Sequence, residues 1–171
     1  MELGNNIGCP NITITSGILE NGQDRKSAWN ILEDSIPRIL DFLKPSMQLL
    51  LEQEPEMLVA STEDLLLLIE HTNQRLKINL DIGHLQVNQE NISQSILLLK
   101  NELINIHWED IKGTIHQHLL PGQGDIEFTP FFSTLKNMAY SGYLTADLYP
   151  FSHMAKDAAT ITKKFLSKFD F

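Results

Sequence analysis

Short apolar runs rich in Ile, Leu and Thr alternate along the chain with longer segments of helical period. That alternation predicts βα units feeding a parallel sheet. Five runs read as strands: "NITITS" at 11–16, "MQLLLEQ" at 47–53, "LKINLDI" at 76–82, "LINIHWE" at 103–109 and "YLTADLY" at 143–149. Several lack polar alternation, as strands covered on both faces do.

Between the strands, the segment from Asp24 to Leu43 places Trp29, Leu32, Ile36, Ile39 and Leu40 on one helical face, and Pro37 is predicted to kink or break it. The next helix opens at "STED", where Ser61 or Thr62 can cap free amides and the acids suit the positive end of the dipole. "ISQSILLLKN" forms a third. A fourth, "FTPFFSTLKNMAYSG", is expected to use Thr129 as its cap, Pro130 at its first position and Gly142 past its end. "MAKDAATITKKFLSKF" forms the last, with lysines toward its negative end. The opening "ELGNN" reads as a final helical turn stopped at Gly4, so the chain is expected to begin in the middle of a fold.

A chain of 171 residues with 42% hydrophobic content can bury one sizeable core, so a single domain over 1–171 is expected. The net charge of −9 and the lack of any basic run disfavour phosphate backbones and anionic membranes, and no nucleic acid partner is expected. Cys9 is the sole cysteine, which excludes an internal disulfide or a cysteine-based zinc site; a small buried thiol is the expectation. No basic start precedes an apolar core, and no segment approaches the roughly twenty apolar residues of a membrane span, so a cytoplasmic location is expected.

The chemistry gathers at one structural address. Glu52, Asp81, His107 and Asp147 sit at or near the C-terminal ends of four consecutive candidate strands, the edge at which parallel α/β folds assemble their sites. Oxygen and nitrogen ligands there could enclose one divalent cation. Asp81 could equally cap the turn that Gly83 allows, and Glu54 is the alternative to Glu52. His84, just after that glycine, either faces the site or is a structural histidine. His116 and His118, two apart on an extended segment, either reach the site or line a solvated loop. Asp110 orients a ligand or substrate, while Glu109 reads as a surface charge. Gly122 and Gly124 serve a tight turn of positive φ, or else cradle an anion with their amides. Trp29, Trp108, Phe131 and Phe132 read as core or wall.

At these residues the chain resembles the xylose isomerase-like (β/α)8 barrel superfamily, which includes sugar phosphate isomerases and epimerases, ketose 3-epimerases and the endonuclease IV group. The resemblance rests on "LLLEQEP", "LDIGH", "IHWED", "HQHLLPGQGDIEF" and "YLTADLYP", in that order, from about residue 11 onward. It implies that Glu52, Asp81, His107 and Asp147 bind a divalent metal (Mn, Mg, Co or Zn). Asp147 stands where the family has Glu, one methylene longer. It also implies that the chain holds the C-terminal five βα units of an incomplete barrel, since a whole one needs about 250 residues. The missing first three strands are then either lost, omitted from this sequence, or supplied by a second copy or a partner chain.

The function so implied is isomerisation or epimerisation of a sugar or sugar phosphate through an enediolate. Glu52 and Asp147 would move protons at carbon, while His84, His118 and Asp110 would bind substrate. Two alternatives stand beside it. One is zinc-dependent phosphodiester hydrolysis of the endonuclease IV type, which the acidic balance disfavours. The other is a barrel fragment inactive on its own.

Overall fold

The computed structural model describes residues 2–169. Five strands form one sheet in sequential order: β1 (Asn11–Ile14), β2 (Gln48–Leu51), β3 (Lys77–Asp81), β4 (Leu103–Trp108) and β5 (Tyr143–Ala146). The pairing of β1 with β2, β2 with β3, and β4 with β5 is parallel. Helices α1 (Glu2–Ile7), α2 (Arg25–Phe42), α3 (Thr62–His71), α4 (Ile82–Val87), α5 (Ile92–Leu99), α6 (Phe128–Asn137) and α7 (Ala155–Leu166) alternate with them. All five predicted strands are present, and the architecture is that of an incomplete (β/α)8 barrel. Among the described residues no helix is long and apolar enough to cross a membrane.

By its internal contacts the chain groups into two compact units, Met1–Asn79 with Asn101–Ile104, and Leu80–Lys100 with Asn105–Phe171. In the first, Leu49, Leu50 and Leu51 are consecutive and buried, which explains the missing alternation: β2 is covered on both faces. Leu65 and Leu68 of α3, Ile36 of α2 and Ile78 of β3 belong to the same core. Ser61, one of the two caps expected for α3, is its N-cap, and Asp64 completes a capping box with it.

Pro37 neither breaks α2 nor ends it; the helix runs through from Arg25 to Phe42. A proline here deprives the Glu33 carbonyl of its usual amide donor four residues on. The imidazole Nε2 of His71 supplies one instead, 3.0 Å from that oxygen. Two further expectations are corrected in this unit. Gly4 lies within α1, which stops at Gly8 with a positive φ of 71°. The thiol of Cys9 is exposed and bonds the Asn11 carbonyl at 3.4 Å.

The second unit has its core in Leu80, Ile96, Leu99, Ile106, Phe131 and Leu135. Trp108 is buried against Phe128 and Phe132, as its reading as core predicts. Thr129 does not cap α6; the cap position is Glu127, with no side-chain bond, and Thr129 lies inside the first turn. The helix ends before Gly142, and Ala139, at φ 52°, takes the left-handed residue after its end. A short helix unforeseen in the sequence, α4, follows β3 directly. Because Asp81 is both the last residue of β3 and the N-cap of α4, no loop separates them.

Candidate metal and proton-transfer site

Asp81 is fully buried, and its two oxygens serve different purposes. Oδ1 accepts the amides of Gly83 at 2.8 Å and His84 at 3.2 Å, which is the capping role. Oδ2 lies 3.9 Å from Nε2 of His84 and 4.0 Å from Nδ1 of His107. These separations exceed a hydrogen bond. Neighbouring ligands on a small divalent cation with bonds of about 2.1 Å stand about 3.0–3.4 Å apart, so these atoms would close by roughly half an ångström or more to share one. The cap accounts for one oxygen of Asp81, and the other faces the two imidazoles. A buried carboxylate beside a part-exposed imidazole is an oxygen and nitrogen donor set that fits a divalent cation.

Glu52 lies in the first unit, immediately after β2, with its amide bonded to the Ile14 carbonyl at 3.0 Å. The register of that unit pairs Leu51 with Ile78, so Glu52 ends the strand beside the one that carries Asp81.

Glu109 is the residue that sequence reasoning misjudged. Read as a surface charge, it is completely buried. Its carboxylate occupies the space that a Cβ on residue 83 would need, so Gly83 is required to admit it. Strand parity was the available signal: Glu109 lies two positions beyond His107, on the same side of the extended chain.

His118 is buried beside it, with Nδ1 3.8 Å from Oε1 of Glu109. The same nitrogen lies 3.1 Å from the Asp147 carbonyl and 3.7 Å from Oδ2 of Asp147. Asp147, expected as the fourth metal ligand, thus points a carboxylate oxygen toward His118. His84 and His116 meet edge to face at 4.8 Å between ring centres, and His118 meets Tyr149 at 4.7 Å. His116 is exposed, as a loop residue would be, but its ring closes one side of His84.

Asp110, expected to meet substrate, has its carboxylate inside the loop that follows β4. Oδ1 accepts the amides of Ile111 and Ile126, and Oδ2 accepts those of Gly122 and Gly124, all at 2.8–3.2 Å. The amides of the glycine turn therefore hold this carboxylate and not a phosphate. Gly122 has the expected positive φ of 91°. Gly124 is needed for space, since a Cβ there would strike Asp110 and the Ile111 carbonyl. With Asp110 and Leu119 also paired as a short antiparallel bridge, the loop that presents His116 and His118 is tied at its base.

The strands and this cluster define a parallel βα protein with carboxylate and imidazole groups at the C-terminal ends of its strands. The profile of the Xylose isomerase-like TIM barrel family matches residues 1–166, and the chain belongs to that family. It is 25% identical over 138 residues to an inosose dehydratase of Clostridium perfringens, a match covering 70% of this chain and 46% of that protein. The chain therefore spans about half the length of the curated relatives it matches. Among solved structures, it is similar to the probable 3-DHS dehydratase AsbF of Bacillus anthracis, with a TM-score of 0.83 and 18% identity over 97% of this chain and 66% of that one. The IolI protein with a bound zinc atom gives a TM-score of 0.82 and 19% identity over 98% of this chain and 66% of that one. At such identities the structural likeness shows the fold.

Proposed function

We propose that the chain carries the metal and proton-transfer site of an enzyme acting on a polyhydroxylated carbonyl compound, a sugar, sugar phosphate or cyclic polyol ketone. The observation that carries this reading is the buried carboxylate of Asp81, one oxygen held by amides and the other 4.0 Å from His107. Glu52, at the end of β2, is the further ligand that the family resemblance names. The zinc atom of the IolI structure supports a divalent cation at such a site. A bound cation would polarise the substrate carbonyl and neighbouring hydroxyl, easing loss of the proton on the adjacent carbon. Glu52 and Asp147 are the carboxylates that the family resemblance casts as proton carriers, and His84, with its imidazole near Asp81, can meet a hydroxyl.

Returning the proton to the opposite face of the carbon, or to its neighbour, gives epimerisation or isomerisation. A second reading, loss of water from the same enediolate, is favoured by the match to an inosose dehydratase. Inosose incubated with the protein and Mn²⁺ in deuterated water separates the two by proton NMR. Deuterium entering recovered ketose supports the first, and an unsaturated product supports the second. If inosose and a panel of ketoses and their phosphates all stay unchanged, the reading fails.

Metal binding gives a separate test by titration calorimetry. His107→Ala is expected to weaken Mn²⁺ or Zn²⁺ binding by roughly 10-fold or more, by analogy with the cost of losing even an outer-shell partner, while leaving the melting temperature of the metal-free protein nearly unchanged. Equal affinity in the variant would remove His107 from the ligand set.

A further inference from the structure

His118 is held in a way that its expected part, binding a substrate hydroxyl, does not require. The Asp147 carbonyl can only accept, so the 3.1 Å contact places a proton on Nδ1 of His118. Carboxylate oxygens of Glu109 and Asp147 stand 3.8 and 3.7 Å from that same nitrogen. The side chain is 7% exposed, and Tyr149 lies against the ring. Nε2, by contrast, makes no hydrogen bond among the described residues, nor is it one of the sealed, unsatisfied atoms of the core. One nitrogen is thus fixed as a donor and flanked by negative charge, and the other is left as an open lone pair. That division of labour is what a general base needs from an imidazole.

We propose that His118 is the group that moves the proton at the substrate carbon, in place of Asp147, with Glu109 and Asp147 as positioning residues; this rests on the enediolate reading above. Nε2 takes the proton as the C–H bond breaks, and the electron pair passes onto the carbonyl to give the enediolate. The two carboxylates complement the positive charge that the ring then carries. Giving the proton back to carbon completes an epimerisation or isomerisation. Giving it to a departing β-hydroxyl releases water and leaves the ring neutral, so either outcome is balanced. The assignment also accounts for the burial of Glu109, whose carboxylate Gly83 leaves room for.

The test has two arms that fail independently. In ¹⁵N-correlated NMR of the metal-free protein, His118 is expected to show the Nδ1–H tautomer, and Glu109→Gln is expected to shift its ring nitrogen signals while His71 stays unmoved. An Nε2–H tautomer in the wild type, or no response to Glu109→Gln, would overturn the proposal whatever the protein turns over. In the second arm, His118→Asn keeps a donor where Nδ1 stands but deletes Nε2. It is expected to keep the wild-type melting temperature and Mn²⁺ affinity while losing C–H exchange by about 100-fold or more. Exchange at the wild-type rate in His118→Asn would sink His118 and leave the enediolate reading standing. Absence of exchange in the wild type would sink that reading, and the tautomer arm would still judge the ring.

Discussion

Single atoms decide most of what this site can do. Asp81 and Asp110 are both buried aspartates accepting backbone amides, yet only one has an oxygen facing imidazoles. Asp110 has both oxygens in amide bonds, so its contribution is the shape of the loop. Asp110→Ala would leave four amides without that acceptor, and a loss of about 3 kcal/mol or more is expected by chemical denaturation. Asp110→Asn, which keeps one acceptor oxygen, should lose less; equal losses would show that the amides find other partners. Gly83→Ala sets a Cβ against the buried Glu109 carboxylate. It should disturb the His118 signals as Glu109→Gln does. The types and order of Glu52, Asp81, His107 and Asp147 pointed to the C-terminal ends of the strands, and Asp81 and His107 do lie at the ends of β3 and β4. Glu109 was not legible by type, because a charged residue after a strand is ordinarily solvated. Only its parity with His107 carried the information.

At the scale of elements, local chemistry was readable wherever the sequence supplies both partners of an interaction. The capping box of Ser61 and Asp64 is one example, and the buried run of β2 is another. Readings failed where the partner is distant in sequence. Pro37 looked like a break because the donor that replaces its missing amide comes from His71, in another helix. That compensation can be measured with a double-mutant cycle. Pro37→Ala restores an amide for the Glu33 carbonyl and is expected to stabilise the protein by about 1–3 kcal/mol. His71→Ala should then cost less in the Pro37→Ala background than in the wild type. Additive effects would mean that the imidazole does not stand in for the amide. Thr129 and Gly142 failed for a related reason: α6 begins and ends on residues that offer no recognisable cap, Glu127 and Ala139.

For the molecule as a whole, the sheet order poses the physical question. Among the described residues β1 pairs only with β2, and β5 pairs only with β4, so each has one side with no strand beside it. The alternation of short apolar runs with helical segments was enough to predict five parallel strands. Whether their outer edges are covered is not written in any local pattern, because an edge strand and an interior strand of a barrel have the same composition. The edges carry little of the usual protection: no proline lies in either strand, and Tyr143 on β5 is 72% exposed. Unprotected parallel edges favour association of chain with chain, so the isolated protein is expected to sediment as a concentration-dependent mixture of monomer and larger species. Tyr143→Lys places a charge on one edge and should shift that mixture toward monomer without lowering the melting temperature. A wild type that remains monomeric at every concentration would mean that these edges do not recruit a second chain.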